Sequence, residues 1–152
     1  MGMTYVKSDT LEAVANTVAA REVDLGLGIG EAARILGVEF CVNMTSIVIV
    51  DIVATGIAAY SFDPEDVAIN ADDDEQFATC ICGASMILAG TGAHKQSEVT
   101  YFDFSGMNLV TTRNLAFILQ SLFALWSCAA KVYYEKYKPS VNDLNQLIAT
   151  RR

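Results

Sequence analysis

The stretch from Thr112 to Lys138, TRNLAFILQSLFALWSCAAKVYYEKYK, most constrains the fold because nearly all of its residues are apolar or small. Its polar side chains recur at spacings of seven and four, which places them on one narrow stripe of an α-helix. They are Arg113, Gln120, Ser127, Lys131 and Glu135. A helix with so little polar surface lies inside a bundle, an oligomer or a bilayer. We therefore predict a mainly α fold, a compact helical bundle around a long central helix at about residues 112–138. The side chains expected to be buried are Leu119, Leu122, Phe123 and Trp126.

The remaining segments predict shorter helices by the same periodicity. These helices span about residues 9–22, 30–36, 40–60 and 75–89. Residues 40–60 are rich in β-branched side chains, but the run is too long for a typical strand, so its length favours a helix. Residues 98–104, EVTYFDF, alternate and predict at most a short strand or hairpin. Ser140 is the expected N-cap of a last helix, and the 152 residues are expected to form a single domain, 1–152.

Composition limits the partners that this chain can have. Its residues are 53% hydrophobic and its mean hydropathy is +0.34, so another subunit or lipid is expected to cover part of the apolar surface. The net charge of −8 and the ten scattered Lys and Arg residues argue against direct binding of nucleic acid. Residues 1–7 show no signal-peptide pattern. The cysteines lie in apolar surroundings, which fits a reducing compartment such as the cytoplasm, or a virion.

Residues 24–30, DLGLGIG, resemble the glycine-rich first motif of class I S-adenosylmethionine-dependent methyltransferases, and Gly28 to Ala33 fits the G-x-G-x-x-A string of dinucleotide-binding folds. The resemblance implies a glycine turn, between a strand and a helix, whose backbone approaches a cofactor. A helix-like stretch precedes the motif, and no alternation of strands and helices follows it. We expect no cofactor, and a methyltransferase-like enzyme using residues 24–33 is an alternative.

Residues 29–38, IGEAARILGV, look like the first helix and turn of a helix-turn-helix DNA reader. A recognition helix needs Arg, Lys, Asn or Gln side chains that face base edges. The following residues, EFCVNM, supply no basic helix. A short helix at residues 30–36, ended by Gly37, is the preferred interpretation.

Few residues are candidates for chemistry. Asp51 lies in an apolar run, where a buried carboxylate must be paired, protonated or functional, and pairing with Arg113 or a wet subunit contact is expected. Cys80 and Cys82 form a C-x-C that could ligate a soft metal, but the chain has one histidine and no second cysteine pair. His94 has no nucleophile at a recognisable spacing. We therefore predict no catalytic, cofactor-binding or metal-binding residues.

The segment 62–76, FDPEDVAINADDDEQ, contains seven acids and no base. A calcium loop beginning at Asp72 would need glycine at its sixth position, where the chain has Phe77. A solvated loop with a short helix starting at Asp63 and Pro64 is expected instead.

Excess apolar surface, helices of small residues and the lack of a catalytic constellation favour a non-enzymatic structural protein that assembles with itself. Phage and viral particles contain many such chains in their heads, necks and tails, so a virion part that also binds other assembly proteins is the leading hypothesis. The expected contacts use residues 40–60 and 77–89 and leave residues 63–75 in water. A further alternative is a small integral membrane bundle that crosses the bilayer at residues 40–61, 77–93 and 114–130.

Overall fold

The computed structural model describes residues 3–47, 53–86, 93–94 and 97–150, which form two packed antiparallel sheets and one terminal helix. The strands and the helix are β1 (Thr4–Ala13), β2 (Val18–Val23), β3 (Ala32–Ile47), β4 (Val53–Ser61), β5 (Gln76–Met86), β6 (Ala93–His94), β7 (Ser97–Asp103), β8 (Val110–Thr111), β9 (Leu115–Leu122), β10 (Ala124–Tyr137) and α1 (Val141–Thr150).

The strand order identifies the architecture. Sheet 1 has the order β1-β10-β3-β7, with β8 also pairing with β3, and sheet 2 has the order β2-β9-β4-β5-β6. When the eight longer strands are lettered B to I along the chain, these orders become B-I-D-G and C-H-E-F. Two four-stranded sheets in this order form a jelly roll. The predicted helical bundle is therefore wrong.

The predicted central helix is two strands. Residues 112–138 contain β9 in sheet 2 and β10 in sheet 1, separated by Phe123 alone. Along β10 the even-numbered residues from Ala124 to Tyr134 are buried and the alternate residues are more exposed, which is the two-residue period of a strand. Leu119 and Trp126 are fully buried as predicted, whereas Leu122 is 36% exposed and Phe123 is only half-buried.

The other helix predictions before residue 140 are also wrong. Residues 9–22 belong to β1, a turn and β2; residues 30–36 lead into β3, which also removes the helix-turn-helix interpretation. Residues 40–60 run from β3 to β4, and residues 75–89 contain β5. Two predictions are confirmed: residues 98–104 contain a strand, β7, and the Ser140 Oγ accepts a hydrogen bond from the Asp143 N–H at the start of α1 (3.2 Å).

The described parts of the three segments predicted to cross a membrane are mainly strands. Among the residues that the structure describes, none of the helical segments is long and apolar enough to cross a bilayer.

Two neighbouring bends connect strands of sheet 1 with strands of sheet 2. The chain passes from β1 to β2 around Asn16 and from β9 to β10 at Phe123, and both residues have positive φ angles, 59° and 61°. The Phe123 N–H donates to the Asn16 Oδ1 (3.1 Å), and the Ser121 N–H donates to the Thr17 carbonyl (2.9 Å). These bonds hold the two bends together, so β1 stays paired with β10 while β2 stays paired with β9.

The core lies between the sheets and combines aliphatic and small side chains with a cluster of aromatic rings. The Tyr60 ring lies 5.4 Å from the Phe40 ring and 5.3 Å from the Phe117 ring, measured between centroids. Trp126 is fully buried and packs on Gly56 of β4. The space between the sheets is closely packed, so the outer faces of the sheets are the surfaces that other molecules can contact.

Candidate interaction surface

The outer face of sheet 2 carries uncharged side chains across four strands. We call this surface the sheet 2 face, and define it by three neighbouring cross-strand rows that follow from the register and from the alternation of side chains. The rows are Leu122–Thr55–Gly83, Val18–Gln120–Ile57–Ile81 and Ala20–Ile118–Ala59–Thr79. None of these eleven residues carries a charge, but Ile118 and Ala59 are fully buried, and Glu22 stands in the next row of the same face.

Several apolar side chains of the sheet 2 face are in contact with solvent. Ile81 is 64% exposed and Val18 is 44% exposed, and they stand at opposite ends of the same row. Isolated exposed apolar residues are normal on a protein surface, whereas contiguous apolar patches larger than a few hundred Å² mark interaction sites. The sheet 2 face is a candidate for such a site.

The outer face of sheet 1 is different because charged residues run across it. Lys131 of β10 is paired with Glu39 of β3, and Glu135 is paired with Arg34 and forms an ion pair with it (2.9 Å). Val99 of β7 is as exposed as Ile81, but its strand also contains Glu98 and Asp103. Sheet 1 also exposes apolar side chains, including Tyr101 (55%) and Val6 (52%), but Glu39, Lys131 and Asp103 lie in the same cross-strand rows. We therefore assign the candidate interaction surface to sheet 2.

Residues 63–75, which we call the acidic segment, border the sheet 2 face and form a pocket with it. The pocket has a volume of about 370 Å³. It is lined by Ile57, Thr79, Ile81 and Gln120 from the sheet, Gln76 at its edge, and Ile69, Asn70, Ala71 and Asp73 from the segment. Three isoleucines dominate the apolar part of this lining, so the pocket extends the apolar character of the face.

Side-chain hydrogen bonds order the acidic segment, which forms turns where a short helix was predicted. The carboxylates of Asp63, Asp66 and Asp73 each accept a bond from the backbone N–H two residues later, at 3.0, 3.3 and 2.9 Å. Burial raises the pKa of the Asp66 carboxyl, but hydrogen bonds from Gln76 and from the Ala68 N–H outweigh burial, so this pKa lies below its usual value. The pocket wall is therefore built from a negatively charged, internally bonded turn.

The glycine-rich stretch 24–31 is a loop between two strands, and the chain continues from it into β3 where a cofactor loop would lead into a helix. Gly26 and Gly30 have φ angles of 65° and 76°, which side chains other than glycine rarely adopt. The Glu31 Oε1 accepts the Gly28 N–H (2.8 Å), which occupies a donor that a phosphate would need. The strand-to-helix geometry implied by the methyltransferase resemblance is therefore wrong for this chain.

The other candidate residues are Asp51, His94, Cys80 and Cys82. Asp51 lies outside the described residues, and His94 lies in β6, where the placement of its side chain is not described. Cys80 and Cys82 alternate along β5 with their side chains in the core, and the Cys80 Sγ lies 3.4 Å from the Thr100 Oγ1. Within the described ranges, no group of three or more His, Cys, Asp or Glu side chains is placed to hold a metal ion.

Three of the four cysteines are expected to be unreactive in the folded protein. Cys80, Cys82 and Cys128 are buried and only Cys41 is half-buried. Burial raises the pKa of the Cys128 thiol to about 12, so little reactive thiolate forms at neutral pH. A thiol reagent should label one cysteine rapidly in native protein and all four after denaturation. The Cys41→Ser variant should lose the rapid phase, and rapid labelling of a second thiol in native protein would contradict this burial.

Sequence reasoning missed the row from Val18 to Ile81 because it predicted all four contributing segments to be helices. One signal was present: in the stretch FATCICGA, small residues alternate with Thr79 and Ile81, and strands show this period.

Neither models of known protein families nor curated proteins give a match to this sequence.

Proposed function

We propose that this protein is a non-enzymatic structural subunit that assembles with copies of itself, of the kind from which phage or viral particles are built. The observation that carries the proposal is the uncharged sheet 2 face, with Val18 and Ile81 exposed on it. Burial of such a surface against a partner is favourable by about 25 cal/mol per Å² of apolar area. Identical subunits bury the same patch many times by symmetry.

The jelly-roll strand order supports the viral part of the proposal by analogy. Viral capsid domains use this architecture, but lectins and cupins use it as well, so the fold alone does not select a function. The two surfaces of this chain favour assembly: one sheet presents charges to water, and the other presents an uncharged face next to a pocket lined by isoleucines. Other assembly proteins would bind the same face or the rim formed by residues 63–75.

The test compares two substitutions at equally exposed aliphatic positions on edge strands. Ile81→Glu places a carboxylate on the sheet 2 face, and Val99→Glu places one on sheet 1; both wild-type residues are 64% exposed. We expect wild-type protein to form oligomers in buffer without detergent, and Ile81→Glu to weaken association at least about tenfold, because a charge would be buried at the contact. Val99→Glu should behave like wild type.

Light scattering and native mass spectrometry over micromolar concentrations supply the measurement. A wild-type chain that stays monomeric across this range would contradict self-assembly. Equal loss of association in both variants would show that the sheet 2 face is not the contact.

A further inference from the structure

The edge of β5 is the feature of sheet 2 that indicates how two copies would join. β6 pairs only with Ser85 and Met86, so among the described residues no strand lies beside the far edge of β5 ahead of Ser85. An edge strand without a neighbour offers its backbone N–H and C=O groups to another chain. Thr79 and Ile81 are the exposed side chains along this part of β5.

The other long edge strands carry the charges that protect sheet edges from unwanted pairing. The charged residues of β1, β2 and β7 are Lys7, Asp9, Glu12, Arg21, Glu22, Glu98 and Asp103. The sequence of β5, QFATCICGASM, contains neither charge nor proline over eleven residues. β5 is therefore the long edge strand in the described chain on which charge does not oppose pairing.

We propose that β5 pairs antiparallel with β5 of a second copy about a two-fold axis near residue 80, which gives one continuous sheet of eight long strands. This inference rests on the proposed self-assembly and assigns its contact. Because a two-fold axis makes the contact self-complementary, the same strand supplies both halves of the interface. In this register Thr79 of each copy lies opposite Ile81 of the other copy.

Charge determines the direction of the pairing. Seven acids lie between Asp63 and Glu75, directly before β5 begins at Gln76. Parallel pairing would set the acidic segments of the two copies side by side. Antiparallel pairing sets the Gln76 end of each β5 beside the Ala84 end of the other copy, so the two Gln76 residues lie roughly 27 Å apart at about 3.4 Å per residue. That separation exceeds the screening length of about 8 Å at physiological ionic strength, so charges next to Gln76 repel each other less than in parallel pairing. Asp73, which lines the pocket with Thr79 and Ile81, lies nearer the axis.

The pairing would also extend the sheet 2 face. The row from Val18 to Ile81 would continue into Thr79 of the second copy, so two uncharged faces would become one. A dimer joined in this way still exposes its extended face, which leaves a surface for further copies in a larger assembly.

Cysteine cross-linking tests the register. In a Cys41→Ala background, chains carrying Thr79→Cys are mixed with chains carrying Ile81→Cys and oxidised. Directly opposed residues on paired antiparallel strands have Cβ atoms about 4.5–5.5 Å apart, close enough for a disulfide after small adjustments, whereas sheets stacked face to face lie about 10 Å apart. We expect the mixture to give a covalent dimer joining the two kinds of chain.

A matched control uses the same spacing on the β1 edge, with Thr10→Cys mixed with Glu12→Cys. These positions are exposed but lie on an edge that contains charges, so we expect little covalent dimer. Equal cross-linking at both edges would overturn the proposal, because it would reflect random collision.

Amide hydrogen exchange of the wild-type chain provides a second measurement that needs no substitution. Protection between Thr79 and Gly83 should rise with chain concentration as dimers form. If the mass in solution rises with concentration while amide protection of residues 79–83 stays constant, the β5 contact is wrong but self-assembly is not contradicted. A chain that remains monomeric would instead contradict the proposed function itself.

Discussion

Replacement of Trp126 by alanine is expected to lower the free energy of unfolding by about 3–5 kcal/mol, the usual loss for a large aromatic residue in a core. The Trp126 side chain is completely buried between the two sheets, and it is the largest of the fully buried side chains. Alanine would leave a cavity that strands of both sheets would have to close. Urea denaturation followed by circular dichroism measures this change.

Trp126→Phe is the matched control for this substitution. The Trp126 Nε1 is buried without a hydrogen-bond partner among the described residues, so phenylalanine would remove no bond to them. We expect a loss of about 1–2 kcal/mol, from the smaller ring alone. If Trp126→Ala costs less than 1 kcal/mol, the indole does not occupy the core as the structure places it.

The wrong assignment of residues 112–138 has a specific physical cause. Ser127, Lys131 and Glu135 are four residues apart, and a spacing of four fits both one turn of a helix and two repeats of a strand. The alternation that distinguishes a strand was weak, because small residues such as Ala129 and Ala130 occupy both faces of β10. Periodicity alone could not decide between the two structures at these positions.

The length of the run 112–138 then favoured a helix, which is wrong. The run looked continuous because the boundary between β9 and β10 has no residue that is usual in turns. The bend falls on Phe123, whose φ of 61° is rare for an aromatic side chain. Its partner in the neighbouring bend, Asn16, is a residue that tolerates this conformation, but its contact with Phe123 joins positions 107 residues apart. Sequence reasoning that works through local windows cannot find a bend that a distant side chain stabilises.

Part of the candidate surface was accessible from sequence. The excess of apolar residues predicts a covered surface, and the segments named for it, 40–60 and 77–89, contribute Ile57 and Ile81 to the sheet 2 face. The side chains that form the face could not be chosen, because a helix and a strand expose different residues of one segment. Cross-strand register, which aligns Ile81 with Val18 through Gln120, is a tertiary property.

Gly56→Val is expected to destabilise the protein by about 1–3 kcal/mol, because a larger residue would overpack the core. A Cβ atom at residue 56 would lie 2.6 Å from the Cδ2 of Trp126, well inside van der Waals contact. The indole is fully enclosed, so the strands would have to separate to relieve the overlap.

A double-mutant cycle separates this overlap from a general intolerance of side chains in β4. Trp126→Leu removes the ring atoms that a Cβ at residue 56 would contact. Gly56→Ala should therefore be destabilising in the wild-type background and cost less than about 1 kcal/mol in the Trp126→Leu background, which gives a favourable coupling energy. Equal costs in the two backgrounds would show that residue 56 must be glycine for a reason other than Trp126. A favourable coupling would establish that β4 of sheet 2 and β10 of sheet 1 are in direct contact in solution, as the jelly roll requires.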